Sequence, residues 1–131
     1  MKLTRTIKDA LKAGYSGDFI SLLEEFGKWS RYFGCRGFKS HSSVSNSYNL
    51  DDESGALIDK AFCSLKDKHA GLYLIMRMYY INNMSEMQIV RELRRRNFID
   101  DLAARYANTL MVRERLKTGE LFVLEELQKC E

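Results

Sequence analysis

Apolar positions recur along this chain at intervals of three and four residues, and strand-like alternation is absent. That periodicity is the mark of amphipathic helices. A first helix is expected over Thr4 to Lys12, ended by Gly14. A second starts near Asp18, read as its N-cap. It carries Phe19, Leu22, Leu23, Phe26, Trp29 and Phe33 at helical spacing and stops at Gly34. Residues 34–50 are rich in Gly, Ser and Asn and read as a loop. A loop of that length in a compact domain is usually functional or partly disordered. Asp51 and Asp52 offer the next N-cap. The helix they open repeats Ile58, Ala61, Phe62 and Leu65 on one face, flanked by Leu57, and ends near Lys66–Lys68. AGLYLIMRMYYI follows, apolar almost all round, and reads as the central helix of the core.

Asn82-Asn83 break that helix. Ser85 with Gln88 three residues on forms a capping box: the serine oxygen takes one orphan N–H, and the glutamine reaches back for another. The short helix so opened turns Ile89, Val90 and Leu93 to one side and Gln88, Arg91 and Arg95 to the other. Arg94 and Arg96 lie on its flanks. Residues 94–108 hold a turn and a short extra helix starting at Asp100 or Asp101. Asn108 caps a last helix, on which Val112, Leu116, Gly119, Val123 and Leu127 form one stripe. Gly119 serves either close helix packing or a C-cap. Glu120, Glu125, Glu126 and Glu131 read as an acidic tail.

The expected fold class is all-α: one compact helical domain over residues 1–131. It divides into N-terminal helices at 1–33, the Gly/Ser-rich loop at 34–50 and a helical core at 51–131. A length of 131 residues suits one core. Hydrophobic content of 45% and charged content of 30% are those of a folded chain, not a disordered one. No apolar run reaches the ~18 residues of a membrane helix. The charged opening MKLTRTIKDALKAG lacks a signal-peptide core, so no membrane role and no export are expected. Three widely spaced cysteines, Cys35, Cys63 and Cys130, fit reduced thiols in a cytoplasm. Cys63 falls at the edge of an apolar face and is expected to be buried. Cys35 and His41 are neighbours, but two ligands assemble no zinc pattern, so neither a metal nor a cofactor is expected. Asp51-Asp52 and Asp100-Asp101 sit where helix caps belong, and no phosphate loop or nucleophile elbow appears, so catalysis is not expected either.

Charge distribution is more informative than the net charge of +3. Between Arg91 and Lys117 there are eight basic residues and four acidic ones. A local basic excess is a candidate phosphate footprint, set against the commoner case of a solvated helix face. From Leu72 to Leu127 the order is apolar helix, tight break, short capped helix, turn, basic helix. That is the order of a helix-turn-helix of the sigma-factor region 4 type. Such a unit presents the start of its last helix to a major groove, while arginines on the preceding helix and turn reach phosphates. On this reading Arg91, Arg94, Arg95 and Arg96 contact phosphate. Asn108, Thr109, Arg113, Glu114 and Lys117 lie at or in the groove.

Three stretches resemble a known family. LLEEFGKWSRYFG, DDESGALIDKAFCSLK and LYLIMRMYYINNMSEMQIVRELRRR are similar to the late-gene antiterminator Q proteins of lambdoid phages, in their sigma-region-4-like subfamily. The matching features are Gly27-x-Trp29, Leu57-Ile58-Asp59 with Leu65-Lys66, Tyr79-Tyr80 leading to Ser85, and LKTGELFVLEEL as closing helix. The similarity spans residues 20–128. This chain differs in a longer turn from Asn97 to Asn108 and in Asn82-Asn83 where the family has glycine. The resemblance implies a transcription antitermination factor of the bacterial host cytoplasm. Its partners would be double-stranded DNA near a late promoter and RNA polymerase with its sigma factor, halted at a promoter-proximal pause. Nascent RNA is a further candidate partner. A polymerase-facing surface would use the opening helix or the 34–50 loop, where Arg36, Phe38 and Lys39 are candidates. The competing readings are a plain helix-turn-helix regulator and an assembly or interaction protein whose basic helix is only solvated.

Overall fold

The computed structural model describes residues 3–34, 50–96 and 107–130. Among these the only regular structure is helical, with no strand. The six helices are α1 (Arg5–Leu11), α2 (Gly17–Gly34), α3 (Asp52–Lys68), α4 (Ala70–Met76, continued by a π turn over Arg77–Ile81), α5 (Glu86–Arg96) and α6 (Thr109–Gln128). Helices α3, α4 and α6 pack on one another. Helix α2 lies across α3 and the π turn, α1 closes on α2, and α5 bridges α6 and the π turn.

Two N-caps fasten the start of the fold. Thr4 caps α1 by accepting from the Ile7 amide, and Asp51 caps α3 by accepting from the Ser54 amide at 3.0 Å. The Ser54 hydroxyl donates to Asp51 Oδ1 at 2.7 Å, which leaves the Thr4 hydroxyl to donate to Ser54 Oγ at 2.5 Å. Burial alone would raise the Asp51 carboxyl, but the hydrogen bonds from Ser54 and Thr6 outweigh it and hold the group below the usual carboxylate range. Helix α2 departs from expectation at its start. It begins at Gly17, Ser16 stands at the cap with Oγ 3.5 Å from the Phe19 amide, and Asp18 lies inside the first turn. There it favours the positive end of the helix without capping it.

Phe19, Leu22, Leu23, Phe26 and Trp29 are all buried, as their spacing requires. Phe26 meets Phe62 with ring centroids 4.7 Å apart and stacks on Trp29 at 5.9 Å. Each such ring withdraws enough apolar surface to contribute about 1.5–3 kcal/mol. Gly55 allows the Trp29 indole to lie on α3, since a Cβ there would sit 2.3 Å from Trp29 Cε2. The indole nitrogen is satisfied by Asp52 Oδ1 at 3.1 Å. Cys63, expected inside, is exposed. It follows Phe62 by one position, and that rotation of about 100° carries it off the stripe that buries Ile58, Ala61, Phe62 and Leu65.

The central helix buries Ile75, Met76, Met78 and Tyr80, while Leu72, Tyr73, Leu74, Tyr79 and Ile81 are half-buried. Its last turn widens into a π turn, closed by the Asn82 amide on the Arg77 carbonyl at 2.9 Å. The helix ends at Ile81, so its last carbonyls have no amide ahead of them within the helix. Arg31 Nη1 satisfies two of them, Tyr80 O and Ile81 O, at 3.0 Å each. Gly27 leaves room for the Tyr80 carbonyl, which a Cβ would approach to 1.9 Å. Asn83 then takes the left-handed conformation, φ 56°, that ends the helix.

Helix α6 buries Val112, Leu116, Gly119, Val123 and Leu127, the stripe read from the sequence. Gly119 serves close packing and does not end the helix: a Cβ would stand 2.7 Å from Met76 Cγ. Glu120 belongs to no solvated tail. It is buried, and it accepts from the Tyr80 hydroxyl at 2.5 Å and the Tyr15 hydroxyl at 2.6 Å. Burial first, then Glu120, pushes the Tyr15 phenol up to about 12 and raises that of Tyr80 further. No helix among the described residues is long and apolar enough to cross a membrane.

Candidate nucleic-acid interface

Helices α5 and α6 carry the basic residues. Ser85 and Gln88 form the reciprocal capping box that opens α5: Ser85 N donates to Gln88 Oε1 at 2.8 Å, and Gln88 N to Ser85 Oγ at 3.2 Å. Ile89, Val90 and Leu93 are buried, which turns Gln88, Arg91, Arg94 and Arg95 to the outer side. Asn108 caps α6, its Oδ1 accepting from the Met111 amide at 2.8 Å. Val112 and Leu116 face in, so Leu110, Arg113, Glu114 and Lys117 face out.

Both ends of α5 are tied to the beginning of α6. At the C-terminal end, Arg94 Nε and Nη2 donate to the Ala107 carbonyl at 3.1 and 2.6 Å. At the N-terminal end, Arg113 Nε donates to Glu86 Oε1 and Oε2 at 3.0 and 2.9 Å. These two contacts hold the start of α6 against α5.

The candidate residues have different duties. Arg91 is exposed and makes no ion pair with another described residue. Arg94 is also exposed, but its Nε–Nη2 edge is committed to Ala107. Arg95 lays the same edge along Glu92, at 3.2 and 2.5 Å. The hydrogen bonds from Arg95 to Glu92 and from Arg113 to Glu86, with the charge of each carboxylate, raise each guanidinium's pKa. Thr109 is half-buried, and Asn108 uses its side chain as the cap. Lys117 is exposed and holds Nζ 5.8 Å from the centre of the Tyr15 ring. Arg96 ends α5, and its side chain lies outside the described residues. So do Arg36, Phe38, Lys39, Cys35, His41 and the short extra helix expected after Asn97.

Two apolar side chains of these helices are exposed as well, Leu110 at 61% and Met87 at 51%. The ion pairs were only half visible in sequence. Glu92 stands three residues before Arg95, a spacing that pairs across a helix surface. Glu86 and Arg113 are 27 residues apart, and Ala107 contributes only its backbone, so neither partnership leaves a local signal.

A concavity of about 680 Å³ lies between α2, the π turn and the start of α5. Its walls mix Glu24 and Glu25 with Lys28 and Arg31, and Lys28 pairs with Glu25 at 3.2 Å. Balanced charge of this kind selects no ligand class. Among the described residues no three His, Cys, Asp or Glu side chains converge as a metal site. The chain matches no protein-family model, no curated protein and no solved structure.

Proposed function

We propose that this chain is a phage transcription antitermination factor. It binds duplex DNA near a late promoter through the outer surface of α5 and α6, loads onto paused host RNA polymerase and lets it read through terminators. The observation that carries the DNA-binding half is the short capped helix braced at both ends against a longer one, with Arg91, Arg95, Arg113 and Lys117 turned outward. That arrangement suits a helix-turn-helix of the sigma-region-4 type, in which phosphate contacts set register and the start of the last helix meets base edges. The polymerase half rests on the resemblance of residues 20–128 to the antiterminator Q proteins.

The test is transcription through an intrinsic terminator by purified bacterial RNA polymerase with its sigma factor. The template carries the late promoter from the same genome. Wild-type protein should raise readthrough, and Arg91→Ala/Arg95→Ala should lower that effect with helix content unchanged. Neither arginine braces α6, so the loss would report DNA loading. Salt-dependent DNA binding with unchanged termination would reduce the function to that of a plain helix-turn-helix regulator. Absence of salt-dependent DNA binding would leave an interaction protein with a solvated basic face.

A further inference from the structure

The outward arginines of α5 and α6 are held in two different ways. Arg94 and Arg95 each present the Nε–Nη2 edge to their partner, so the side-on fork is consumed. Arg113 gives only Nε to Glu86, and its two terminal amines meet no other described residue. Its side chain is 66% exposed while that of Glu86 is 26% exposed. The carboxylate thus grips the base of the guanidinium and leaves the far end in solvent. Arg113 is also the fifth residue of α6, beside buried Val112, in the part of the helix that a groove would admit.

We propose that Arg113 is a specificity-determining side chain that reads guanine end-on, and that Glu86 is the residue that positions it. The inference rests on the duplex-DNA reading above and adds what that surface recognises. Guanine presents O6 and N7 side by side in the major groove, and paired arginine N–H groups match that spacing. A backbone phosphate would accept the same fork. However, it would bring its charge against the Glu86 carboxylate, whereas the guanine edge is neutral. Fixing Nε beforehand removes part of the rotamer freedom that a long side chain otherwise loses on binding. Glu86 therefore favours base over phosphate and lowers the entropic cost of the contact.

The experiment selects duplexes from a random library with wild-type protein, then replaces each guanine of the winning sequence in turn by 7-deazaguanine, which lacks N7. Wild type should lose about three- to tenfold in affinity at one guanine of the contacted site, part of the discrimination a bidentate pair supplies. Arg113→Ala should bind the parent duplex more weakly and be indifferent to 7-deazaguanine there. Glu86→Ala should keep affinity for unselected duplex, or gain it, yet lose most of the preference. Glu86→Gln, which retains an acceptor for Nε, should restore much of it. A merely structural Glu86 would not separate general affinity from guanine preference in this way. If Arg113→Ala still senses the missing N7, or Glu86→Ala discriminates like wild type, the assignment is overturned while DNA binding stands. If wild type binds no duplex in a salt-dependent manner, both fall.

Discussion

Arg94→Ala should behave as a stability variant before it behaves as a binding variant. The side chain donates twice to one carbonyl, at 3.1 and 2.6 Å, and Ala107 itself is wholly buried. Hydrogen bonds from charged donors contribute about 1.5–3 kcal/mol each in net terms. Arg94 is exposed and both bonds share one acceptor, so water can replace part of the interaction. The lower end, about 1.5 kcal/mol, is the appropriate figure. For a chain of this size that lowers Tm by about 6 °C. Urea unfolding followed by far-ultraviolet circular dichroism measures it as a lower midpoint at unchanged slope. Arg91→Ala is the control, because it removes a neighbouring exposed charge without a described partner; it should stay within about 0.5 kcal/mol of wild type. Arg94→Lys keeps one donor and should fall between. The reasoning is refuted if Arg94→Ala unfolds with wild type while its DNA affinity loses about 0.9 in salt slope, the signature of a phosphate contact. A triple alanine variant across residues 94–96 would mix the two effects and decide neither.

Gly27→Ala should destabilise by about 2 kcal/mol or more despite alanine's higher helix propensity, because the new Cβ would lie 1.9 Å from the Tyr80 carbonyl and must push α2 off the π turn; thermal unfolding measures it. Alkali should unfold the protein early. Tyr15 and Tyr80 have folded pKa values above the ordinary 10, so above pH 10 the unfolded chain releases protons that the folded one keeps. Stability is fully present below pH 10 and falls as pH rises toward 12, the Tyr15 value. Tyr80→Phe should be less stable at neutral pH yet show a flatter decline in Tm over that range, and an equal slope would remove Tyr80 from the explanation. Glu92→Ala frees the side-on edge of Arg95 and deletes a charge that would repel phosphate. Affinity for duplex DNA at low salt should rise about two- to fivefold; a fall in a fluorescence-anisotropy titration would count against that face.

Period and caps made most of the fold legible. Asp51, the Ser85–Gln88 pair and Asn108 all open helices, and the buried stripes of α2, α3, α5 and α6 follow the apolar spacing. These signals are local, and a local signal survives in a single sequence. What did not survive was anything set by the partner of a residue. Ser16 displaced Asp18 at the start of α2 because two polar residues stand close together and only the chain's approach chooses between them. The π turn needs Gly27 and Arg31, about fifty residues earlier, to receive its carbonyls. Glu120 looked like surface because its phenol partners come from the α1–α2 corner and the end of α4. For the candidate interface, the sequence identified which residues are basic and outward. It did not show that Arg94 is a brace, or that Arg95 and Arg113 are differently held.

The buried Glu120 carboxylate also sets the rotational phase of the last helix. Glu120 lies seven residues beyond Arg113, close to two full turns, so the two positions project on neighbouring bearings about the axis. Anchored by phenols from two other elements, Glu120 keys α6 against turning in its seat. A slip of one residue would swing Arg113 by about 100° and bury a carboxylate without its hydroxyls. Outward side chains of α6 that hold no contact with α5, such as Leu110, can therefore be exchanged without disturbing this register, provided that the key and the two tyrosines that fit it are left in place.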